Sequence, residues 1–282
     1  MTTTRTTPPA TSPTTTRTLV DPQWLADHLG DPTVTVVEVD VSPAAHQEGH
    51  IPGAVLWNVY TDLKDGDYRL VGSAELQALL ESSGITPGST IVFYGYAPAM
   101  GVWLLHHLGH RDARVLDVSR DTWKAAGHPW TDEPTTAIPS RYPLGPPNER
   151  LRADRTEVEA AIGRPRCTIV DTRSQAEFDG ERFWPSGGSE PGGRAGHVPG
   201  AVRVTVDGMM DERGSFRPTA TLREQLGALD LDGDDELITY CTIGGRASTM
   251  WFVLHHLLGR RNVRVYDGSW AEWGRLADTP VE

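Results

Sequence analysis

Hydrophobic residues along the chain gather in short unbroken runs, with longer amphipathic stretches between them. TVTVVEV (33–39), AVLWNV (54–59), TIVFY (90–94) and ARVLDV (113–118) fall in the first half. CTIVD (167–171), AVRVTV (201–206), ELITY (236–240) and NVRVY (262–266) take the corresponding places in the second. Runs of β-formers without polar alternation suit strands covered on both faces, as in parallel sheets. The stretches between them carry helix punctuation. AELQALLESS (74–83) stops at Gly84, Asp154 with Glu157 spells a capping box, and Thr221 with Glu224 spells another ahead of REQLGAL. The pattern predicts an α/β architecture built twice, each copy a mostly parallel sheet flanked by helices. With 282 residues there is room for two units, each burying its own core.

The halves also resemble each other directly. GHIPGAV at 49–55 returns as GHVPGAV at 196–202. LLHHLGHRDARVLDVSRDTW at 104–123 returns, with one residue inserted, as VLHHLLGRRNVRVYDGSWAEW at 253–273. Separations of 147 to 150 residues hold along both segments, which is what duplication of one domain would leave. Residues 1–18, almost entirely Thr, Pro, Arg, Ala and Ser, bury too little apolar surface to offset chain ordering and are expected to form a disordered tail. A Pro-rich stretch from Thr131 to Arg150 has linker composition. The expected domains are 19–132 and 151–282, with 133–150 as the linker.

Charge and cysteine usage narrow the partners. There are 38 acidic against 26 basic residues, a net charge of −12, which repels phosphate backbones and disfavours nucleic acid. No run approaches the roughly 18 apolar residues of a membrane span, and the start has no apolar leader core, so a cytoplasmic protein without a membrane partner is expected. The two cysteines, Cys167 and Cys241, cannot form a disulfide framework at this size. Paired-cysteine spacing and HExxH are both missing, and His106, His107, His255 and His256 come as adjacent doublets. His46 and His50 have helical spacing, but Gly49 and Pro52 oppose a helix there. No metal or other cofactor is expected.

The chemistry concentrates in ELITYCTIGGRASTMWFVLHHLLG. Cys241 ends a buried strand, a glycine-bearing loop follows, and an apolar helix runs toward Gly259. Beyond strand C-termini is where parallel α/β folds bind ligands. Gly244 and Gly245 let the loop curl its N–H groups inward, and the helix N-terminus adds positive potential, so an anion is favoured there. A thiolate is an anion. The loop is therefore expected to lower the Cys241 pKa and raise its nucleophilicity, with Arg246 reinforcing the field. Cys167, which begins a strand with no such loop, reads as structural.

These residues resemble a known family, the tandem-domain rhodaneses, which are thiosulfate and 3-mercaptopyruvate sulfurtransferases. The resemblance covers residues 19–278 and rests on the GHIPGA and GHVPGA pair, VDTRSQAEF (170–178), the Cys241–Arg246 loop and YDGSWAEWG (266–274). The loop, WFVLHHLLG and DGSWAEWG look most like the thiosulfate sulfurtransferases of actinobacteria. The resemblance implies two tandem rhodanese-like domains and a Cys241 persulfide that receives the outer sulfur of a small anionic donor and yields it to cyanide, a thiol or a protein acceptor. Cys241 and Arg246 would be catalytic, and Thr242, Ile243, Gly244, Gly245 and Ala247 would hold the donor. Asp171, Arg173 and Glu177, at the end of a strand beside the loop and on the helical turn after it, are expected either to support Arg246 and the loop or to form a plain structural ion pair. Aligning IVFYG with LITYC sets Tyr94 against Cys241 and leaves the first-half loop YGYAPAM without cysteine or arginine, so the first domain is expected to be catalytically silent. His50 and His197 read as a shared fold-stabilising turn, DGSWAEWG as architecture around Trp270 and Trp273, and Arg194 as a solvated loop charge.

The wider resemblance makes thiosulfate the expected donor; Thr242 and Ile243 match neither the basic loop of the thiosulfate enzymes nor the small-residue loop of the mercaptopyruvate enzymes, which keeps 3-mercaptopyruvate or a protein persulfide as the runner-up. A sulfur carrier or binding module is a further alternative. A cysteine phosphatase is disfavoured: only four residues separate Cys241 from Arg246, too tight a ring for phosphate.

Overall fold

In the computed structural model, which describes residues 18–282, every apolar run forms a strand. The expected tail, apart from its last residue, lies outside the described residues. The first half runs β1 (Leu19–Val20), α1 (Pro22–His28), β2 (Val34–Asp40), α2 (Ala44–Glu48), β3 (Val55–Asn58), α3 (Ser73–Ser82), β4 (Thr90–Gly95), α4 (Pro98–His107), β5 (Ala113–Leu116) and α5 (Arg120–Ala125). The second repeats it with β6 (Arg152–Ala153), α6 (Arg155–Ala161), β7 (Cys167–Asp171), α7 (Gln175–Phe178), β8 (Val202–Arg203), α8 (Thr219–Gln225), β9 (Glu236–Tyr240), α9 (Gly245–Phe252), β10 (Val263–Tyr266) and α10 (Ser269–Trp273).

Both sheets are five-stranded and parallel throughout, in the matching orders β1-β5-β4-β2-β3 and β6-β10-β9-β7-β8. The topology places the site. From β7 the chain moves outward to β8, and from β9 outward the other way to β10, so the adjacent ends of β7 and β9 form a switch point, where open α/β sheets bind ligands. Residues 133–148, between the halves, carry no helix or strand. They lie along the first half through Ser140 N–H to the Glu81 carbonyl (2.8 Å) and Tyr142 Oη to His110 Nδ1 (2.8 Å).

Local signals decide most element ends. The Asp154–Glu157 capping box forms in both directions, at 2.8 and 2.9 Å. The second expected box does not. Pro218, extended at ψ 145°, is the last non-helical residue of α8, so Thr221 lies inside the first turn and caps nothing. A box that the apolar pattern did not point to, Ser174 with Glu177, starts α7 and fixes Glu177. AVRVTV pairs over Val202 and Arg203 only, ending where Val204 N–H donates to the Asp171 carbonyl. Beyond α9 the helix continues as a π-turn over Val253–Leu257 and stops before Gly259, left-handed at φ 75°.

The two expected cores are joined. One apolar cluster links Val37, Phe93 and Trp103 of the first half to Leu237, Trp251 and Phe252 of the second, with smaller clusters elsewhere in each half. The reason lies in α4, which is buried nearly all round and packs on α9 across the seam. Three histidines lie close together there. The His256 ring lies 4.9 Å from those of His106 and His255, and one ring nitrogen of each is buried without a partner. Burial, reinforced by neighbouring imidazoles, holds His106 near a pKa of about 4 and His256 near about 3. Both lie below the ordinary imidazole value, so the unfolded chain takes up protons first as pH falls. Stability should drain away from about pH 6.5 down toward 3, by about 1 kcal/mol or more per histidine. Thermal melts from pH 7 to 4.5 test this: a double His106→Gln, His256→Gln variant should show a flatter slope, and an unchanged slope would clear these histidines.

Candidate active site

β9 ends at Tyr240 and delivers Cys241 to the switch point, where its side chain is buried but lines a cleft. The loop reverses at Gly244, whose φ of 99° suits glycine. A Cβ there would stand 3.1 Å from the Asp267 carbonyl oxygen. This curl directs the Gly244 N–H onto Cys241 Sγ at 3.1 Å. The DGSW turn braces the loop from below: Ser269 Oγ accepts from Cys241 N–H (3.2 Å), and the Trp270 and Ala271 N–H groups donate to the Cys241 and Thr242 carbonyls (3.0 and 2.9 Å).

Arg246, the second residue of α9, does not point freely into the cleft. It forks onto both oxygens of Glu177 at 2.8 Å and reaches Thr242 Oγ1 at 2.7 Å, while that hydroxyl donates to Glu177 Oε1 at 2.7 Å. Ser174 adds its N–H and hydroxyl to the same carboxylate. Burial works to raise the Glu177 pKa, yet the Arg246 guanidinium and these donors hold it down at about 2. The guanidinium is correspondingly shifted further up. A charge-compensated clamp thus joins the loop to α7.

The sequence-expected residues separate into three groups. Cys241, Thr242, Ile243, Gly245 and Arg246 face the cleft. Gly244 shapes the loop, and Ala247 lies behind it, fully buried in the core. Asp171 and Arg173 do not touch Arg246. They form a buried pair (2.7 Å) that takes the Tyr240 hydroxyl on Asp171 and the Gly196 carbonyl on Arg173, whose guanidinium stacks 4.5 Å over Trp270. They support the end of β9, whereas Glu177, of these three, anchors the arginine.

One alignment is corrected by the structure. Tyr94 is the counterpart of Tyr240: each hydroxyl donates to a buried carboxylate, Glu38 at 2.8 Å or Asp171 at 2.5 Å. Each also accepts the N–H of its GHxPGA turn, Ile51 or Val198, at 3.2 Å. Gly95 therefore stands where Cys241 does, and a Cβ there would come within 2.9 Å of Glu38 Cγ and the Val39 carbonyl oxygen. His197 ties its turn to the Phe178 carbonyl (3.0 Å), and Trp270 and Trp273 are fully buried, as read from sequence. Arg194 is corrected too: it donates to the Thr279 carbonyl (2.7 Å), pinning the C-terminal segment rather than sitting in solvent.

The cleft measures about 320 Å³ and lies between the halves. Val41, Tyr60, Tyr68 and Tyr96 form its first-half wall, and Trp184, Pro185 and Ser186 its second-half wall. These aromatic residues were not singled out from the sequence, because they sit in irregular loops without periodicity. Among the described residues, no cluster of side chains is placed to hold a metal ion, and no helix is long and apolar enough to cross a membrane.

The family model of the rhodanese-like domain matches residues 21–126 and again 154–276. The chain belongs to the rhodanese family. A Haloferax volcanii protein named "Putative thiosulfate sulfurtransferase" is 38% identical over 274 residues, covering 94% of this chain and 96% of that one. A Mycolicibacterium smegmatis protein of the same name is 37% identical over 270 residues, covering 94% and 97%. Among solved structures, the anaerobic ergothioneine biosynthesis enzyme from Chlorobium limicola superposes with a TM-score of 0.80 at 24% identity, covering 94% of this chain and 70% of that one, a likeness of fold. Two rhodanese domains with a cysteine at the switch point support sulfurtransfer through a cysteine persulfide.

Proposed function

We propose that this rhodanese carries the outer sulfur of thiosulfate to a thiophilic acceptor, cyanide or a thiol, by way of Cys241. The thiolate attacks the outer sulfur, the S–S bond to the sulfonate breaks, and sulfite departs with the electron pair. A Cys241 persulfide remains, and the acceptor nucleophile takes its outer sulfur and restores the thiolate. The observation that carries this reading is Cys241 Sγ on the cleft with the Gly244 N–H aimed at it. That donor and the start of α9 stabilise charge on either sulfur. Cys167 and Cys241 are both free thiols, which suits a reducing compartment, and we place the reaction in the cytoplasm. Residues 151–282 are the catalytic domain, 133–150 the linker, and 19–132 a silent domain that supplies the other cleft wall.

One observation favours 3-mercaptopyruvate as a second reading. Arg246 is already neutralised by Glu177, and the cleft is larger and more apolar than a small inorganic dianion needs. Intact-mass spectrometry after thiosulfate treatment tests the first reading. Wild type should gain one sulfur and Cys241→Ser none; no gain on wild type with thiosulfate but a gain with 3-mercaptopyruvate would transfer the assignment.

A further inference from the structure

The two halves exchange matching hairpins. After β3, the segment bridged by Lys64 and Leu70 crosses to the second half, where Leu70 N–H donates to the carboxylate of Asp267, just past β10, at 2.7 Å. After β8, the segment bridged by Met210 and Phe216 crosses to the first half, where Phe216 N–H donates to Asp117, just past β5, at 2.8 Å. The symmetry breaks at one side chain. Met210 is 39% exposed, whereas its counterpart Lys64 is 4% exposed and donates to the Asp267 carbonyl at 2.7 Å and carboxylate at 3.3 Å. A cation is buried only on the side that holds the cysteine loop.

Its position is specific. Lys64 Nζ lies 3.6 Å from where a Cβ on Gly244 would stand, and the Gly244 N–H contacts Cys241 Sγ. On the cleft side, Arg246 and Glu177 cancel one another. Beneath the loop the arrangement differs: Asp267 is shared by Lys64 and Arg152, the latter at 2.7 Å, and Arg152 is also offset by the carboxylates of Glu149 and Asp154, which leaves Asp267 as the partner of Lys64. A further carboxyl, Glu272, accepts from Tyr266 Oη at 2.8 Å, and burial shifts its pKa upward. Burial of a lysine is costly and lowers its pKa, an effect that Asp267 and the Cys241 charge offset only in part.

We propose that Lys64, contributed by the first half, is a positioning residue: it supplies a buried positive charge beneath the loop that holds an anionic sulfur on Cys241, whether thiolate or persulfide. This rests on the persulfide reading above. The charge-sensitive test compares alkylation of Cys241 by iodoacetate and by iodoacetamide at pH 7, followed on its peptide by mass spectrometry. The ratio of the two rates reports local potential and needs no sulfur donor, so its failure is distinguishable from failure of the proposed reaction. Lys64→Gln and Lys64→Met should lower the iodoacetate-to-iodoacetamide ratio about three- to tenfold, with near-ultraviolet dichroism unchanged. An unchanged ratio in folded variants overturns the proposal. Loss of folding in both overturns it as well, because Lys64 would then be a structural partner of Asp267.

Discussion

Cys241→Ala is expected to lower thiosulfate:cyanide sulfurtransfer by at least about a thousandfold while leaving the fold intact. A covalent mechanism loses its intermediate when the nucleophile goes, and what survives is only the contribution of binding and backbone donors. The other thiol cannot take over. Cys167 opens β7, away from the switch point, and burial raises its pKa against the pull of Arg164. Alanine removes one sulfur from a loop whose shape is set by Gly244 and by the Ser269–Ala271 backbone bracket, so near-ultraviolet dichroism should match wild type. Thiocyanate formation and sulfite release, measured together, check this. Residual activity above about a tenth would assign the sulfur chemistry elsewhere, and Cys167→Ala, expected to be silent, serves as the control.

Glu177→Ala should be the most damaging substitution outside the nucleophile, through both stability and activity. The carboxylate is fully buried and takes Arg246, Thr242 and Ser174 at once, so its removal strands a guanidinium that is mostly buried. Breaking a buried pair from one side costs about 3–5 kcal/mol; Arg246 keeps some access to water, which puts the expected loss at about 2–3 kcal/mol, roughly 5–10 °C in melting temperature. Activity should fall further than stability alone explains, because the released arginine no longer fixes Thr242 and the cleft face of the loop. The same clamp has an acid limb. Glu177 sits at about 2, below its unfolded value of about 4.5, so its stabilisation is complete above 4.5 and is lost as pH falls toward 2. Differential scanning calorimetry of wild type and Glu177→Gln from pH 6 to 3 should show that limb shallower in the variant. Parallel curves would remove Glu177 as its source.

Much of this site was legible because its parts are local. A strand end, two glycines and an arginine within six residues define the Cys241 loop without any tertiary knowledge, and the doubled GHxPGA turn gave the fold's repetition. What escaped depends on long-range placement. Asp171, Arg173 and Glu177 lie within one short segment, yet the first two face back toward Tyr240 and Trp270 while the last turns to Arg246, a division set by the start of α7. Tyr60, Tyr68 and Tyr96 reach the cleft only because the halves dock. Thr221 failed as a cap because a proline three residues earlier had already set the helix start.

Trp251, Phe252 and Trp103 share one interior across the duplication. Severing the chain near residue 150 would therefore wet that seam and expose α4 and α9 together. A lone second copy would meet water with Trp251, Phe252 and their apolar neighbours and tend to self-associate. The copy without a thiol is thus tied in physically: it can drift in chemistry, but deleting it would take its neighbour's solubility with it.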